Sequence, residues 1–451
     1  MKKKLLFISA NNFAVPYPVY PLGLSYLMSY LTPRLPDYEI QMFDIMTSNL
    51  AELDAKLKEF QPDYVGVSLR NIDNVDSMNS EFFISHYSSI IAQIRKSVNT
   101  KLIIGGSGYS IYPGLLFDTF KPDFGIHGEG EESLLQLLKA LDSGTKYEDI
   151  EGLVYLADGQ IRINARTTFL RDLELELSDD LISYYWHNSG MLNIQTKRGC
   201  PYKCIYCTYP LIEGRQVRTL NTEKIVKSLK YLSEEKGIDY FFFTDSVFNL
   251  DDKYNEKLAH EIIESGIKIK WGAYFAPRNL NEDMLKLLKE AGLAHIEFGT
   301  ESLSDTQLKN YGKSFKMRDV FEVSETCNKL DIDFAHFLIL GGYGETNETI
   351  RETFENSSKI HRTVFFPFVG MRIYPGTPLH KIAIAENVIS ADDELIAPKY
   401  YISNNFDVSL LKELAQNSGK RWVFPDEDLS VIMQKMRNKN KKGPLWEYLL
   451  K

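Results

Sequence analysis

Apolar and polar positions along the first ~145 residues fall into alternating blocks of two periods, the mark of strands and helices following one another in a parallel sheet. Lys4–Ser9 is an apolar strand and Leu22–Leu31 a helix. Ile40–Phe43 is a short strand, followed by a helix with Leu50, Leu53, Leu57 and Phe60 at helical spacing. Pro62-Asp63 ends it, and Tyr64–Leu69 is the next strand. Residues 80–96 read as helix, Lys101–Ile104 as a strand running into Gly105-Gly106-Ser107-Gly108. Phe124–His127 is a short strand and Glu131–Leu141 a leucine-rich helix. This is a Rossmann-like, doubly wound unit. Ligands of such sheets sit beyond the carboxyl ends of the strands, here Ser9–Phe13, Phe43-Asp44, Arg70–Asn74, Gly105–Tyr109 and Gly128–Gly130.

Residues 151–164 read as a hairpin turning at Asp158-Gly159, with a loop-rich linker to Gly190. A second alternating series starts with a strand at Leu192–Thr196. Asn221 caps a helix bearing Ile225, Leu229 and Leu232 that stops at Gly237. Strands follow at Tyr240–Thr244, Ile269–Phe275, His295–Phe298, Phe334–Leu340 and Val364–Ile373. Six strand–helix units predict a partial (β/α) barrel, whose chemistry belongs at the carboxyl ends of its strands. The expected organisation is a domain over 1–150, a hairpin and linker over 151–190, the partial barrel over 191–380 and a capping segment over 381–451.

With 451 residues the chain exceeds one ordinary domain. Its net charge of −9 offers no basic footprint for nucleic acid. No apolar run reaches the ~20 residues of a membrane helix, and the opening MKKKLLFISANNF reads as a strand rather than an export signal. Three of the four cysteines lie within eight positions. A disulfide framework would spread them, so clustered thiols point to a metal site in a reducing cytoplasm.

That segment is Gly199-Cys200-Pro201-Tyr202-Lys203-Cys204-Ile205-Tyr206-Cys207. A four-iron, four-sulfur cluster takes four thiolates in its usual form. Three at this spacing leave one iron open to another ligand, such as the amino and carboxylate groups of S-adenosylmethionine (SAM). The alternative is a structural zinc site, as part of a non-enzymatic scaffold. Zinc prefers four ligands, and no second pair lies nearby. Cys327, far along the chain in a predicted helix, reads as a core residue.

The cysteine loop resembles the CxxxCxxC motif of the radical SAM superfamily, with Tyr206 at its aromatic position, expected near the adenine. Gly299-Thr300-Glu301-Ser302 resembles the family's G-x-E-S segment, which contacts the nucleoside. Gly341-Gly342-Tyr343-Gly344-Glu345-Thr346 resembles its G-x-P-G-E-T turn, with tyrosine for proline, and Arg372-Ile373-Tyr374-Pro375-Gly376-Thr377 its R-x-Y-P-G-T. Where the family has G-G-E, this chain has Thr244-Asp245-Ser246. The resemblance thus implies Tyr206, Asp245, Glu301, Ser302 and Arg372 as SAM-binding residues. Tyr274 and Arg278, on and after a barrel strand, are candidates for the substrate, the arginine for an anionic group.

A Rossmann-like unit ahead of such a barrel resembles the cobalamin-binding branch of the superfamily. The resemblance implies that Asn11, Arg70, Asn71, Gly105, Gly106, Ser107, Gly128, Glu129 and Gly130 face the cobalamin. Many such domains carry D-x-H-x-x-G. Here the domain's histidines are His86 and His127 alone, neither in that motif, so cobalt is expected to lack a histidine ligand. The expected activity is radical methylation of an unactivated carbon of a small molecule, with methylcobalamin as donor and an external flavodoxin or ferredoxin as electron source. A radical rearrangement, cyclisation or other ring-forming reaction is the alternative.

Overall fold

The structure is a computed structural model that describes residues 2–450 except 172–176, 178, 419–421, 426, 428–434, 436, 437 and 440. Parts of the expected linker and capping segment fall outside the described residues. The chain divides into two compact units. The first comprises Met1–Asn74, Glu81–Tyr184 and Leu211–Gly214, the second Val75–Ser80, Tyr185–Pro210 and Arg215–Lys451. No helix among the described residues is long and apolar enough to cross a membrane.

In the first unit, β1 (Lys3–Ser9), β2 (Tyr38–Asp44), β3 (Tyr64–Ser68), β4 (Lys101–Gly105) and β5 (Phe124–Ile126) are parallel. Their connections carry α1 (Leu22–Leu31), α2 (Leu50–Phe60), α3 (Ile84–Ser97), α4 (Ser107–Ile111) and α5 (Pro113–Phe120), and α6 (Glu131–Ser143) follows. The expected hairpin is β6 (Leu153–Ala157) and β7 (Gln160–Ile163). It pairs antiparallel with β5 and extends the sheet to the order β2-β1-β3-β4-β5-β6-β7. The reason is apolar burial: Leu153 and Val154 are fully enclosed, and β5 would otherwise be an open edge. Local chemistry agrees with the sheet. Asn49 and Glu52 form a capping box on α2, and Gly144 ends α6 in the left-handed conformation.

The helix α7 (Asp179–Ser189) leads to β8 (Leu192–Ile194). Then come the short antiparallel pair β9 (Lys197–Arg198) and β10 (Arg218–Thr219), with α8 (Tyr209–Ile212) between them. The second sheet continues with β11 (Tyr240–Phe243), β12 (Lys270–Phe275), β13 (Leu293–Glu301), β14 (Asp333–Leu340) and β15 (Val364–Val369). It is wholly parallel, in the order β15-β14-β13-β12-β11-β8, and its two ends do not pair: a six-stranded partial barrel. The helices between strands are α9 (Thr222–Lys236), α10 (Asp252–Glu264), α11 (Glu282–Glu290), α12 (Asp305–Asn310), α13 (Met317–Lys329) and α14 (Asn347–Ser358). Asn221 accepts from the Lys224 amide and Gly237 closes α9, as the pattern predicts.

Strand alternation sorts the faces of this sheet. Phe298, His336 and Phe365 stack on the helix side, where Ser324 of α13 meets the His336 ring. Phe242, Tyr274, His295, Glu297 and Phe337 take the opposite, inner face. Trp446 packs on it near Ala335 and Val364 and donates to Glu297 at 3.1 Å.

Candidate functional site

The cysteine loop leaves β8 through Thr196 and is pinned at its base by the β9–β10 pair. Lys197, fully enclosed, sets that base. Its ammonium sits 2.9 Å from Asn255 Oδ1, 3.2 Å from Asp245 Oδ2 and 4.1 Å from the ring centre of Phe248. Asp245 also accepts from the Thr196 amide (2.6 Å), the Lys197 amide (2.9 Å) and the Thr196 hydroxyl. The structure thus engages Asp245, expected at the SAM amino group, within the protein. Its carboxylate is 1% exposed and saturated by its own loop.

Further along, the Ile205 amide donates to Tyr311 O at 3.1 Å, and its carbonyl accepts from the Leu379 amide at 2.9 Å. Gly312, with φ +72°, lies so close beneath the loop that a Cβ there would sit 2.5 Å from Lys203 O. The three cysteines held in this way form no disulfide, Cys200 buried and Cys204 and Cys207 half-buried. Burial pushes the Cys200 thiol up, and Cys207 up to about 12, with the mutual repulsion of the three sulfurs adding to it. Such thiols ionise only with positive charge supplied beside them, as iron would. Among the described residues no three His, Cys, Asp or Glu side chains gather around a point suited to one bare ion. A cubane needs no such point, because each thiolate takes a different iron. The donor set fits a cluster.

Tyr206, between the second and third cysteines, donates from its hydroxyl to Glu301 Oε1 at 2.7 Å. Glu301 ends β13 at a bulge, with φ +67°. The same Oε1 receives Lys313 Nζ at 3.3 Å, and that ammonium lies 3.5 Å from the Tyr206 oxygen. Arg278 reaches the loop as well. Its Nη1 donates to Ser314 O at 3.1 Å, and its guanidinium lies 5.8 Å from the Tyr202 ring centre. Tyr274 is 40% exposed on the inner face, edge-on to Phe242.

Two other expected SAM ligands are not brought to this group. Ser302 is fully enclosed, 3.4 Å from the Thr353 hydroxyl, and accepts from the Ser304 amide. Arg372 is buried and clips backbone, donating to Ile373 O at 2.6 Å and Leu395 O at 2.8 Å. Both serve the fold of their loops. Lys197 and Lys313 were not anticipated, because an isolated lysine in a polar stretch carries no periodic signal. Gly312 beside Lys313 was the available clue.

In the first unit, Ser9, Ser68 and Gly105 are in register across β1, β3 and β4. Asn11, Arg70 and Ser107 each follow two residues after these strand ends, at the carboxyl edge. Asn11 is buried; its Nδ2 donates to Phe13 O at 3.3 Å, and its Oδ1 meets no donor among the described residues. Arg70 is exposed. Ser107 ties this edge together by donating to Arg70 O at 2.8 Å, and the Asn71 carbonyl accepts from Tyr87. Gly106, with φ +102°, approaches β3 so closely that a Cβ would meet Leu69 O at 2.6 Å. An orphaned buried amide oxygen after one strand and a pair of glycines at the end of another fit a macrocycle bearing amide donors.

Gly128, Glu129 and Gly130 depart from expectation. Arg166 covers Gly128, Glu129 is buried and accepts from the Leu170 amide at 3.0 Å, and a Cβ on Gly130 would meet Leu27. Chain that follows the sheet occupies this corner. Both histidines of the unit are tied to carbonyls: His86 Nε2 to Ala10 O at 3.0 Å and His127 Nε2 to Asn164 O at 2.9 Å.

Residues 194–356 match the model of the radical SAM superfamily, and residues 8–138 that of the B12 binding domain. An uncharacterized methyltransferase of Pyrococcus horikoshii is 28% identical over 82% of this chain and 79% of its own. The tryptophan 2-C-methyltransferase of Streptomyces laurentii is 23% identical over 90% and 78%. An anaerobic magnesium-protoporphyrin IX monomethyl ester cyclase of Cereibacter sphaeroides is 26% identical over 74% and 55%. Among solved structures, the radical SAM methyltransferase TsrM of Kitasatospora setae, with cobalamin and [4Fe-4S] cluster bound, superposes with a TM-score of 0.88. It is 22% identical, with 100% of this chain and 98% of that one covered, a likeness of fold.

Proposed function

We propose that this chain, which carries a B12 binding domain followed by a radical SAM domain, is a cobalamin-dependent radical enzyme that methylates an unactivated carbon of a small molecule. The observation that carries the reading is the pinned loop presenting three free cysteines beside Tyr206 and Glu301, at the carboxyl end of a parallel strand. Methyltransferases among the relatives support it. When bound, the cofactors supply a one-electron route from SAM to a 5′-deoxyadenosyl radical and, in cobalamin, a methyl carrier.

Cys200, Cys204 and Cys207 would each hold one iron and leave the fourth to SAM. Glu301 accepts hydrogen bonds from Tyr206 and Lys313 through Oε1, so Oε2 would be the atom left to accept from a nucleoside hydroxyl. Arg278, beside Tyr202, would orient a carboxylate or phosphate. Tyr274 offers an apolar wall on the inner face. Asn11, Arg70, Asn71, Gly105, Gly106 and Ser107 would meet the corrin. An external flavodoxin or ferredoxin would deliver the electron, and the acidic chain suits no nucleic acid. The similarity to a cyclase favours ring formation as the second reading.

The test is product mass. Anaerobic enzyme with SAM, cobalamin, reductant and metabolite extract should give a product heavier than its precursor by one methylene. A product of unchanged or lower mass supports ring formation and overturns methylation.

A further inference from the structure

Lys313 lies outside every motif, yet it stands where the cysteine loop, the bulge of β13 and the loop after α12 converge. Its side chain is 8% exposed. An ammonium withdrawn from water to that degree is costly unless it is paired. Its carboxylate partner is Glu301, which holds Tyr206 through the same oxygen, and the Phe315 ring lies 5.5 Å away. Gly312 seats the preceding turn against Lys203, so the lysine is delivered to this point by backbone packing. The ion pair with Glu301, at 3.3 Å, compensates the ammonium for its burial.

We propose that Lys313 is a positioning residue of the cluster site: it fixes Glu301 and Tyr206 in one arrangement, and its charge favours the reduced form of the cluster. The inference rests on the reading of Cys200, Cys204 and Cys207 as cluster ligands. Reduction adds one electron, and so one negative charge, to the cluster. A fixed cation held beside Tyr206, between the second and third cysteines, stabilises that state in proportion to the local field. The same cation holds Glu301 against the bulge, so the oxygen left for the nucleoside does not wander.

The experiment uses the full chain, reconstituted anaerobically, titrated with dithionite and mediators and followed by electron paramagnetic resonance. SAM affinity is measured by equilibrium binding. Lys313→Met should keep iron and sulfide content, move the midpoint to more negative potential and weaken SAM binding by about tenfold. Lys313→Arg, which keeps the charge, should return both toward the unaltered protein. Glu301→Gln should move the midpoint the opposite way. A Lys313→Met protein with intact cluster, unchanged midpoint and unchanged SAM affinity overturns the inference. An unaltered protein that assembles no cluster overturns the reading beneath it, and iron and sulfide content tells the two failures apart.

Discussion

At the scale of single residues, spacing in the sequence identified donors but not their surroundings. Three thiols within eight positions were legible because ligand geometry is a local property of the chain. The engagement of Asp245 is not legible in the sequence, because its partner, Lys197, arrives from a different strand end. Glu345 shows how much tertiary setting adds. It is fully enclosed, 3.1 Å from the Tyr311 hydroxyl, and accepts from Thr349. Burial raises its carboxyl from the ordinary 4.5 to about 7. The folded state thus holds this proton more tightly than the unfolded chain. Its contribution is full below about pH 4.5 and is lost as the pH rises through 7. Glu345→Gln should flatten the fall in stability between about pH 5 and pH 8 by up to about 3 kcal/mol, measured by urea unfolding. An equal fall in both proteins would refute the assignment.

At the scale of elements, strands and helices were legible because apolar period and caps agree, as at Asn221 and Gly237. The β9–β10 clamp was not, since two-residue strands carry no period. The hairpin was found, but its docking on β5 was hidden, because pairing partners are a tertiary matter. The clamp and the turn at Gly312 together hold the cysteine loop. Gly312→Ala places a Cβ in the left-handed region and against Lys203 O. It should cost about 1 kcal/mol or more and lower the iron bound per chain after reconstitution. Native stability with native iron content would show that the turn does not shape the loop.

At the scale of the whole molecule, two successive sheets with parallel cores were readable from alternation alone, and the cofactor families from motif order. The identity of the substrate was not, because inner-face aromatics such as Tyr274 and Phe337 look like core in a sequence. The first unit carries a further expectation. With His86 and His127 both held by carbonyls, cobalt(II) bound here should lack the nitrogen superhyperfine splitting of an imidazole ligand. The expectation includes displacement of the cofactor's own benzimidazole tail, so a nitrogen-split spectrum, from that tail or from a histidine, would contradict this account of the carboxyl edge.

The most direct test of the central claim is the iron and acid-labile sulfide content of anaerobically reconstituted protein, beside a variant with Cys200, Cys204 and Cys207 all changed to alanine. About four irons and four sulfides per chain are expected in the first and none in the second. One zinc and no sulfide in the unaltered protein would contradict it.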